Sequence, residues 1–83
     1  MKLNPVGANQ TEVEIGGVTV FFSYKTPVAA HIAGKGYIRT EKHYSTTTIR
    51  HINQWLKANG ASMDKVETVS QERIDAACTA VTL

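Results

Sequence analysis

The chain has 83 residues, of which 42% are hydrophobic and 19% charged, and its formal net charge is +2. This length predicts a single small domain, residues 1–83, with a modest core, and the composition is that of a globular chain. The longest apolar run is shorter than the roughly 18 residues of a membrane span, the N-terminus lacks the apolar segment of a secretory signal, and a lone Cys78 excludes an intramolecular disulfide. We therefore expect a soluble protein of a reducing compartment.

The charge is distributed unevenly along the chain. Residues 25–57 carry six cations against Glu41 alone, a net charge of +5. Residues 58–83 carry two cations against four carboxylates, a net charge of −2. Two interpretations stay open at this point. The basic middle either forms an anion-binding face or pairs with carboxylates of the same chain.

The first quarter of the chain is predicted to form an irregular segment followed by a β-hairpin. Residues 1–10 are predicted to be an irregular lead-in, because Pro5 and Gly7 break any regular pattern. The next residues, TEVEIGGVTVFFSY, alternate between the two faces of a strand on either side of Gly16-Gly17. A glycine pair can supply the positive φ angles of a tight turn, so two strands joined there are predicted.

Two further strands are predicted before the main helix. Pro27 lacks an amide hydrogen and therefore suits a strand start or edge, and the alternating residues PVAAHIA follow from it. A turn at Gly34-Lys35-Gly36 leads to GYIRTEKHY, a fourth strand whose continuity to Tyr44 the pattern leaves undecided. Four strands joined by short turns form an antiparallel meander.

The clearest signal is an amphipathic helix over residues 46–59. At about 100° per residue, its side chains divide into an apolar stripe and a solvent side. The stripe consists of Ile49, Ile52, Trp55 and Leu56, and the solvent side of Arg50, His51, Asn53, Gln54 and Lys57. Ser45 stands at the N-cap position, with Thr46 or Thr47 as alternative caps. Trp55 is expected to anchor the core with its indole N–H bound to a partner; an exposed contact role is the alternative.

The last part of the chain predicts a second, shorter helix. Residues 61–69 form a connector with a short extended piece, and Ser70 is positioned to cap the helix that follows. Its apolar arc consists of Ile74, Ala77, Cys78 and Val81. The predicted fold class is α+β: a three- to four-stranded antiparallel meander covered on one face by the 46–59 helix, with the short C-terminal helix beside it.

The chain lacks sequence motifs for catalysis or metal binding. Its histidines, at positions 31, 43 and 51, and Cys78 have neither the C-x-x-C nor the H-x-x-x-H spacing of a zinc site. Ser45 follows His43 by two residues without the frame of a catalytic triad, and Cys78 falls on an apolar helix face. We expect a protein without a metal, a cofactor or an enzymatic activity.

The basic residues near the start of the main helix are the best candidate for a binding site. A helix N-terminus offers free amides and the positive end of the dipole, which favour anions. Hydroxyls at a helix start also act simply as caps, and this alternative stays open. The residues expected to contact a partner or an anion, by charge complementarity, are Lys25, Lys35, Arg39, Lys42, His43, Ser45, Thr46, Thr47, Arg50 and Lys57.

The segments FFSYKTPVAA and YIRTEKHYSTTTIRHINQWL resemble a family of small phage- and prophage-encoded proteins of unassigned function. The shared pattern is an apolar strand ending in F-S-Y-K-T-P-V-A, followed by Y-S-x-T-T at a helix start, and it spans Phe21 to Leu56. The resemblance implies a phage or prophage gene product that acts in the cytoplasm of its bacterial host. It carries no catalytic residues across.

The function that follows is a hypothesis with two alternatives. We expect a non-enzymatic phage accessory protein that binds and modulates a bacterial host protein or ribonucleoprotein, as anti-CRISPR-type defence inhibitors of similar size do. The first alternative is a nucleic-acid-binding protein that uses the same basic face. The second is a homodimeric structural module whose exposed sheet face or edge forms the interface.

Overall fold

A six-stranded sheet with a helix on each face forms the core of the protein. The computed structural model describes the backbone of residues 2–82 and the side chains of residues 3–79. The elements in chain order are β1 (Lys2–Gly7), β2 (Gln10–Ile15), β3 (Val18–Ser23), β4 (Thr26–Ile32), β5 (Gly36–Thr40), α1 (Thr46–Ala58), a 3-10 turn (Met63–Lys65), β6 (Glu67–Val69) and α2 (Gln71–Thr82). The predicted α+β class is confirmed.

The strands lie in the sheet in the same order as in the sequence. The first five form an antiparallel meander, as predicted, and β6 pairs with β5 in parallel after the excursion through α1. The predicted tight turn between β2 and β3 is confirmed, with φ angles of 54° and 84° at Gly16 and Gly17. Both glycines adopt the left-handed conformation that two-residue hairpin turns require.

The prediction of three or four strands is too low, because β1 was missed and the short extended piece predicted in the connector was not counted in the sheet. Residues 2–7 are not an irregular lead-in but strand β1, in which Asn4 pairs with Glu12. A proline is tolerated there because β1 has a neighbour on one side only, within the described residues. At the other edge, the connector contributes β6, in which Val69 pairs with Thr40.

Strand β5 ends at Thr40 and does not continue to Tyr44. Residues 41–45 have no regular secondary structure. The amide of Lys42 donates to the Thr40 hydroxyl at 3.1 Å, which turns the chain out of the sheet. The amide of Glu41 donates to the Val69 carbonyl at 2.7 Å, so the turn is anchored to β6. This loop brings the chain to the start of α1.

The first face of the sheet is covered by α1, as predicted. Trp55 and Leu56 are buried with Ile52 against Phe21 of β3 and the consecutive β4 residues Val28 and Ala29. Both β4 residues reach this core because the register shifts between Phe21 and Phe22, which leaves one extra residue in β4. Burial of these three α1 residues holds the helix in place. Ile49, which was assigned to the same stripe, is only half-buried and lines the outer side of the helix instead.

The second face of the sheet is covered by α2, which therefore does not lie beside α1 as predicted. Ile74 is fully buried against Val20, Ala30 and Ile38, and Phe22 packs at the edge of the same cluster. The reason is strand alternation: β3 and β5 direct apolar side chains to both faces, and each face needs its own cover. The predicted contribution of residue 81 lies outside the described side chains.

Candidate interaction surface on helix α1

The start of α1 is capped by Ser45. Its hydroxyl accepts from the amide of Thr48 at 3.1 Å, and its extended backbone is that of an N-cap residue. Thr46 and Thr47 are helical and exposed, so the alternative caps are excluded. At the other end, Gly60 has a φ of 73° and closes the helix with the bonds of a Schellman motif. The capping role predicted for the hydroxyl at position 45 is confirmed.

A buried polar network ties the first turns of α1 to β3. The Ser23 hydroxyl lies 2.9 Å from Nδ1 of His51 and 3.2 Å from the Thr48 hydroxyl, which also accepts from Ser45 at 3.2 Å. His51 was expected on the solvent side, but it is 9% exposed. The expectation failed because the polar partner that draws the ring inward lies 28 residues away in sequence.

This serine–histidine pair is structural and is closed to a substrate. Ser23 is 2% exposed, so its oxygen is not accessible from solvent. His51 is in turn covered by the Tyr24 ring, whose centroid lies 5.8 Å away. A nucleophile has to reach the reacting atom of its substrate, which this burial prevents. The network therefore serves to hold α1 on the sheet.

The side of α1 that faces away from the sheet forms a stripe that we call the outer stripe. It borders an open cavity of about 430 Å³ and consists of Thr46, Ile49, Arg50, Asn53, Gln54 and Lys57. Every member except Ile49 can donate a hydrogen bond. No residue of α1 is acidic, so the stripe offers donors and positive charge without a carboxylate to neutralise them.

Arg39 of β5 fixes the chemistry at the centre of the outer stripe. Its guanidinium donates to Oδ1 of Asn53 at 3.0 Å. Because arginine can only donate, the acceptor must be the amide oxygen, and Nδ2 of Asn53 is left as the donor. Arg39 itself is half-buried. Its role is thus to orient a donor of the outer stripe.

The remaining predicted contact residues are scattered over the molecule. Lys42 lies with its Nζ 5.1 Å from the centroid of the Tyr44 ring, and His43 is exposed in the same loop. Lys25 belongs to the β3–β4 turn and Lys35 to the β4–β5 turn. The structure therefore gathers only part of the predicted set onto α1, and it adds Asn53, Gln54 and Ile49, which the search for charge left out.

The acidic part of the chain meets the basic part at the β5–β6 pair, but its helix α2 lies on the other side of the sheet from α1. Three carboxylates of the acidic part, Glu67, Glu72 and Asp75, lie on β6 and α2. Within residues 3–79, no lysine or arginine forms an ion pair with a carboxylate. The interpretation in which the basic middle pairs with carboxylates of the same chain therefore has no ion pair to support it in this part of the chain.

The comparison with protein families found one match that covers most of the chain. A family described as a family of unknown function, DUF8033, matches residues 1–76. The chain belongs to this family. The match includes all six strands of the DUF8033 fold, the whole of α1 and the first half of α2. The comparisons with curated proteins and with solved structures found no match.

Two further features of this DUF8033 chain limit the chemistry within its described part. Among residues 3–79, no three side chains of His, Cys, Asp or Glu come together in a group that could hold a metal ion. Cys78 is half-buried, and burial, together with the Asp75 carboxylate, raises the pKa of its thiol. A raised pKa keeps the sulfur in its less reactive thiol form.

Neither helix of residues 2–82 is long and apolar enough to cross a membrane.

Proposed function

We propose that the protein is a non-enzymatic binding protein whose contact surface is the outer stripe of α1. The observation that supports this proposal is the composition of the stripe, in which exposed donors and cations stand together on a helix without a carboxylate. Such a surface matches acceptor-rich, negatively charged surfaces. The opposite side of the same helix is fully occupied by the core, so only the outer stripe is free to bind.

The partner we propose is a bacterial host protein or ribonucleoprotein with an acidic or phosphate-bearing surface. The resemblance of Phe21 to Leu56 to phage- and prophage-encoded proteins supports a setting in the host cytoplasm. Modulation of that partner, in the manner of an anti-CRISPR-type defence inhibitor, is the role we assign to the complex. Because α1 carries no acidic residue whereas α2 on the other sheet face does, such a partner is favoured to bind on the α1 side.

Affinity capture from host lysate with matched charge variants tests this proposal. Arg50→Glu/Lys57→Glu reverses both charges of the outer stripe. Lys25→Glu/Arg73→Glu makes the same change in net charge at exposed sites away from it. We expect the first variant to lose the partner and the second to retain it. Equal retention by both variants would refute the role of the outer stripe.

The modulating role needs a functional measurement. Expression of the wild-type protein in a bacterium with an active CRISPR defence should raise the plating efficiency of a targeted phage. The Arg50→Glu/Lys57→Glu variant should not do so, although it accumulates to the same level. If the wild-type protein leaves the plating efficiency unchanged with every defence system tested, the protein is not an inhibitor of them. The capture experiment would then still decide whether it binds a host partner.

Direct nucleic-acid binding is a second candidate that the same stripe favours. Arg50, Asn53, Gln54 and Lys57 have the side chains that read base edges and phosphates, and they are exposed together. A helix of 13 residues is about 20 Å long and fits the major groove. This candidate predicts an affinity that falls with salt by about 0.9 log units per log unit for each phosphate contact on duplex DNA.

Fluorescence anisotropy with labelled duplex and single-stranded oligonucleotides separates the two candidates. The nucleic-acid candidate requires binding at about 50 mM salt and a salt slope that falls by about two in the Arg50→Glu/Lys57→Glu variant. Absence of binding at this salt concentration would eliminate it. If the protein binds a host protein but no oligonucleotide, the protein-binding function stands and the nucleic-acid function does not.

Homodimerisation remains a third candidate because of the edge strand β1. Leu3 is 66% exposed and Val6 43% exposed, so this edge offers two apolar side chains to a second copy. Pro5 and the register irregularity between Pro5 and Gly7 oppose edge-to-edge pairing. Light scattering over a concentration series tests this candidate, and a constant monomer mass would dispose of it.

A further inference from the structure

A second cavity lies where the β4–β5 turn meets the segment that leaves α1. Its volume is about 260 Å³, and its wall comes from residues 35–37 on one side and residues 60–62, 65 and 66 on the other. Cavities that hold drug-sized ligands measure roughly 300–1,000 Å³, so this one suits a smaller molecule. It shares no lining residue with the outer stripe of α1.

The rim of this cavity is positively charged. Lys35 and Lys65 both line it, and both side chains are exposed. None of the eight lining residues is acidic. Neither lysine forms an ion pair within residues 3–79, so both ammonium groups are available to a ligand. An ammonium group donates three hydrogen bonds and accepts none, which selects an anion.

The floor of the cavity is apolar and aromatic. Ala61 and Val66 line it and pack against the core beneath α1, as does Tyr37. The Tyr37 ring is held in place, with its centroid 4.5 Å from that of His31 and 5.6 Å from that of Trp55. Its hydroxyl forms no hydrogen bond within residues 3–79. The flat apolar part of a ligand can therefore pack on this floor while an anionic group of the same ligand contacts the two lysines.

Asp64, the residue before Lys65, is the one acidic residue in the segment that forms one wall of the cavity. Asp64 accepts a hydrogen bond from the Ser62 hydroxyl, and this bond is the main reason why the pKa of the Asp64 carboxyl lies below its usual value. Asp64 does not line the cavity. Asp64 forms no ion pair within residues 3–79, so its carboxylate does not occupy either lysine. The cavity keeps its two cations.

We propose that this cavity binds a small organic anion, a carboxylate or phosphate head group on a flat apolar body. The head group binds between Lys35 and Lys65, and the body packs on Tyr37 and Val66. This site goes beyond the proposed function, since it uses none of the outer stripe. A variant that loses binding at the cavity keeps the outer stripe intact, and the reverse also holds. Failure of this proposal can therefore be distinguished from failure of the proposed function.

NMR titration of the ¹⁵N-labelled full chain tests the site with three probes. Benzoate has both the anionic head and the flat body, benzamide has the body alone, and inorganic phosphate has the charge alone. We expect benzoate to shift the amide signals of Lys35, Gly36, Ser62 and Lys65 in a saturable way. Benzamide and phosphate should each bind at least about tenfold more weakly, because each lacks half of the complementary chemistry.

Charge-deleting variants complete the test. Lys35→Met/Lys65→Met keeps an unbranched apolar side chain of similar length up to Cε and removes both ammonium groups, and it should weaken benzoate binding by at least about tenfold. Lys25→Met/Arg73→Met makes the same change in net charge elsewhere and should bind benzoate like wild type. The proposal is overturned if the benzoate shifts do not saturate or if they persist in Lys35→Met/Lys65→Met. It is also overturned if benzamide or phosphate produces the same shifts at the same concentration.

Discussion

The indole N–H of Trp55 donates to Oε2 of Glu12 at 2.8 Å, across 43 positions of sequence. Trp55 is 2% exposed and stacks on Phe21, whose partner in the β2–β3 register is Glu12. One side chain of α1 thus reaches over β3 to a carboxylate of β2. This bond fixes where α1 crosses the sheet, and with it the direction in which the outer stripe faces.

Removal of the Glu12 carboxylate should destabilise the fold. A hydrogen bond to a charged group contributes about 1.5–3 kcal/mol, and Glu12 is half-buried, so solvent recovers part of this value. We expect Glu12→Ala to lower the free energy of unfolding by about 1–2 kcal/mol. Glu12→Gln keeps an acceptor oxygen and should lower it less. Urea titration followed by the emission of the single tryptophan measures both.

The control for this prediction is the neighbouring carboxylate of the same strand. Glu14 is exposed and accepts only a long hydrogen bond, 3.4 Å, from Thr19. Glu14→Ala should change the free energy of unfolding by less than about 0.5 kcal/mol. Equal losses for the two alanine variants would show that the bond to Trp55 does not stabilise the fold.

The buried pair of Ser23 and His51 should be energetically coupled. Ser23→Ala leaves Nδ1 of His51 buried without its partner, which costs about 1–3 kcal/mol. In a double-mutant cycle with His51→Ala, we expect a coupling energy of about 0.5–3 kcal/mol. Ser23→Ala combined with Ile74→Val, on the opposite face of the sheet, should be additive within about 0.5 kcal/mol. A coupling with His51 no larger than that with Ile74 contradicts the network.

Features set by neighbours in sequence could be predicted, and features set by distant partners could not. The helix over residues 46–58, its cap at Ser45 and the Gly16-Gly17 turn depend on residues within a few positions of one another. Their signals are therefore visible in a short window of sequence. The polar members of the outer stripe followed from the same helical periodicity, whereas Ile49 was assigned to the core and lines the outer side instead.

The missed features all depend on contacts between distant segments. Strand β1 is recognisable only once β2 offers an unpaired edge, and β6 only once β5 does. His51 turns inward for a serine on another strand. Lys65 joins Lys35 because a loop after α1 returns to the β4–β5 turn. A charge count along the chain could not reveal that these two lysines share a cavity.

The hydroxyl of Ser45, and not those of the threonines after it, should carry the capping energy of α1. Ser45→Ala removes an acceptor from the first turn and should lower the free energy of unfolding by about 1–2 kcal/mol. Thr46→Ala and Thr47→Ala change exposed side chains inside the first turn and should stay within about 0.5 kcal/mol of wild type. Urea titration of the three variants measures this, and a loss at Thr47 equal to that at Ser45 would reassign the cap.

The thiol of Cys78 should titrate at a higher pH in the folded protein than in the unfolded chain. Burial and the Asp75 carboxylate both disfavour the thiolate and raise its pKa. The rate of reaction with a disulfide reagent follows the thiolate fraction, so its midpoint in native buffer should lie above its midpoint in concentrated urea. Asp75→Asn should lower the native midpoint.

The same shift has a consequence for stability, and its sign can be checked. Because the pKa of the thiol is raised on folding, the stabilisation from its neutral form is complete below the unfolded pKa of about 8.5. It is lost as the pH rises through the folded pKa. Asp64→Asn removes an exposed carboxylate in the connector and should leave the Cys78 midpoint unchanged, as a control. A Cys78 titration midpoint in native buffer that lies at or below the midpoint in urea is incompatible with a half-buried thiol beside the ionised Asp75. It would also contradict the packing of α2 that places the thiol there.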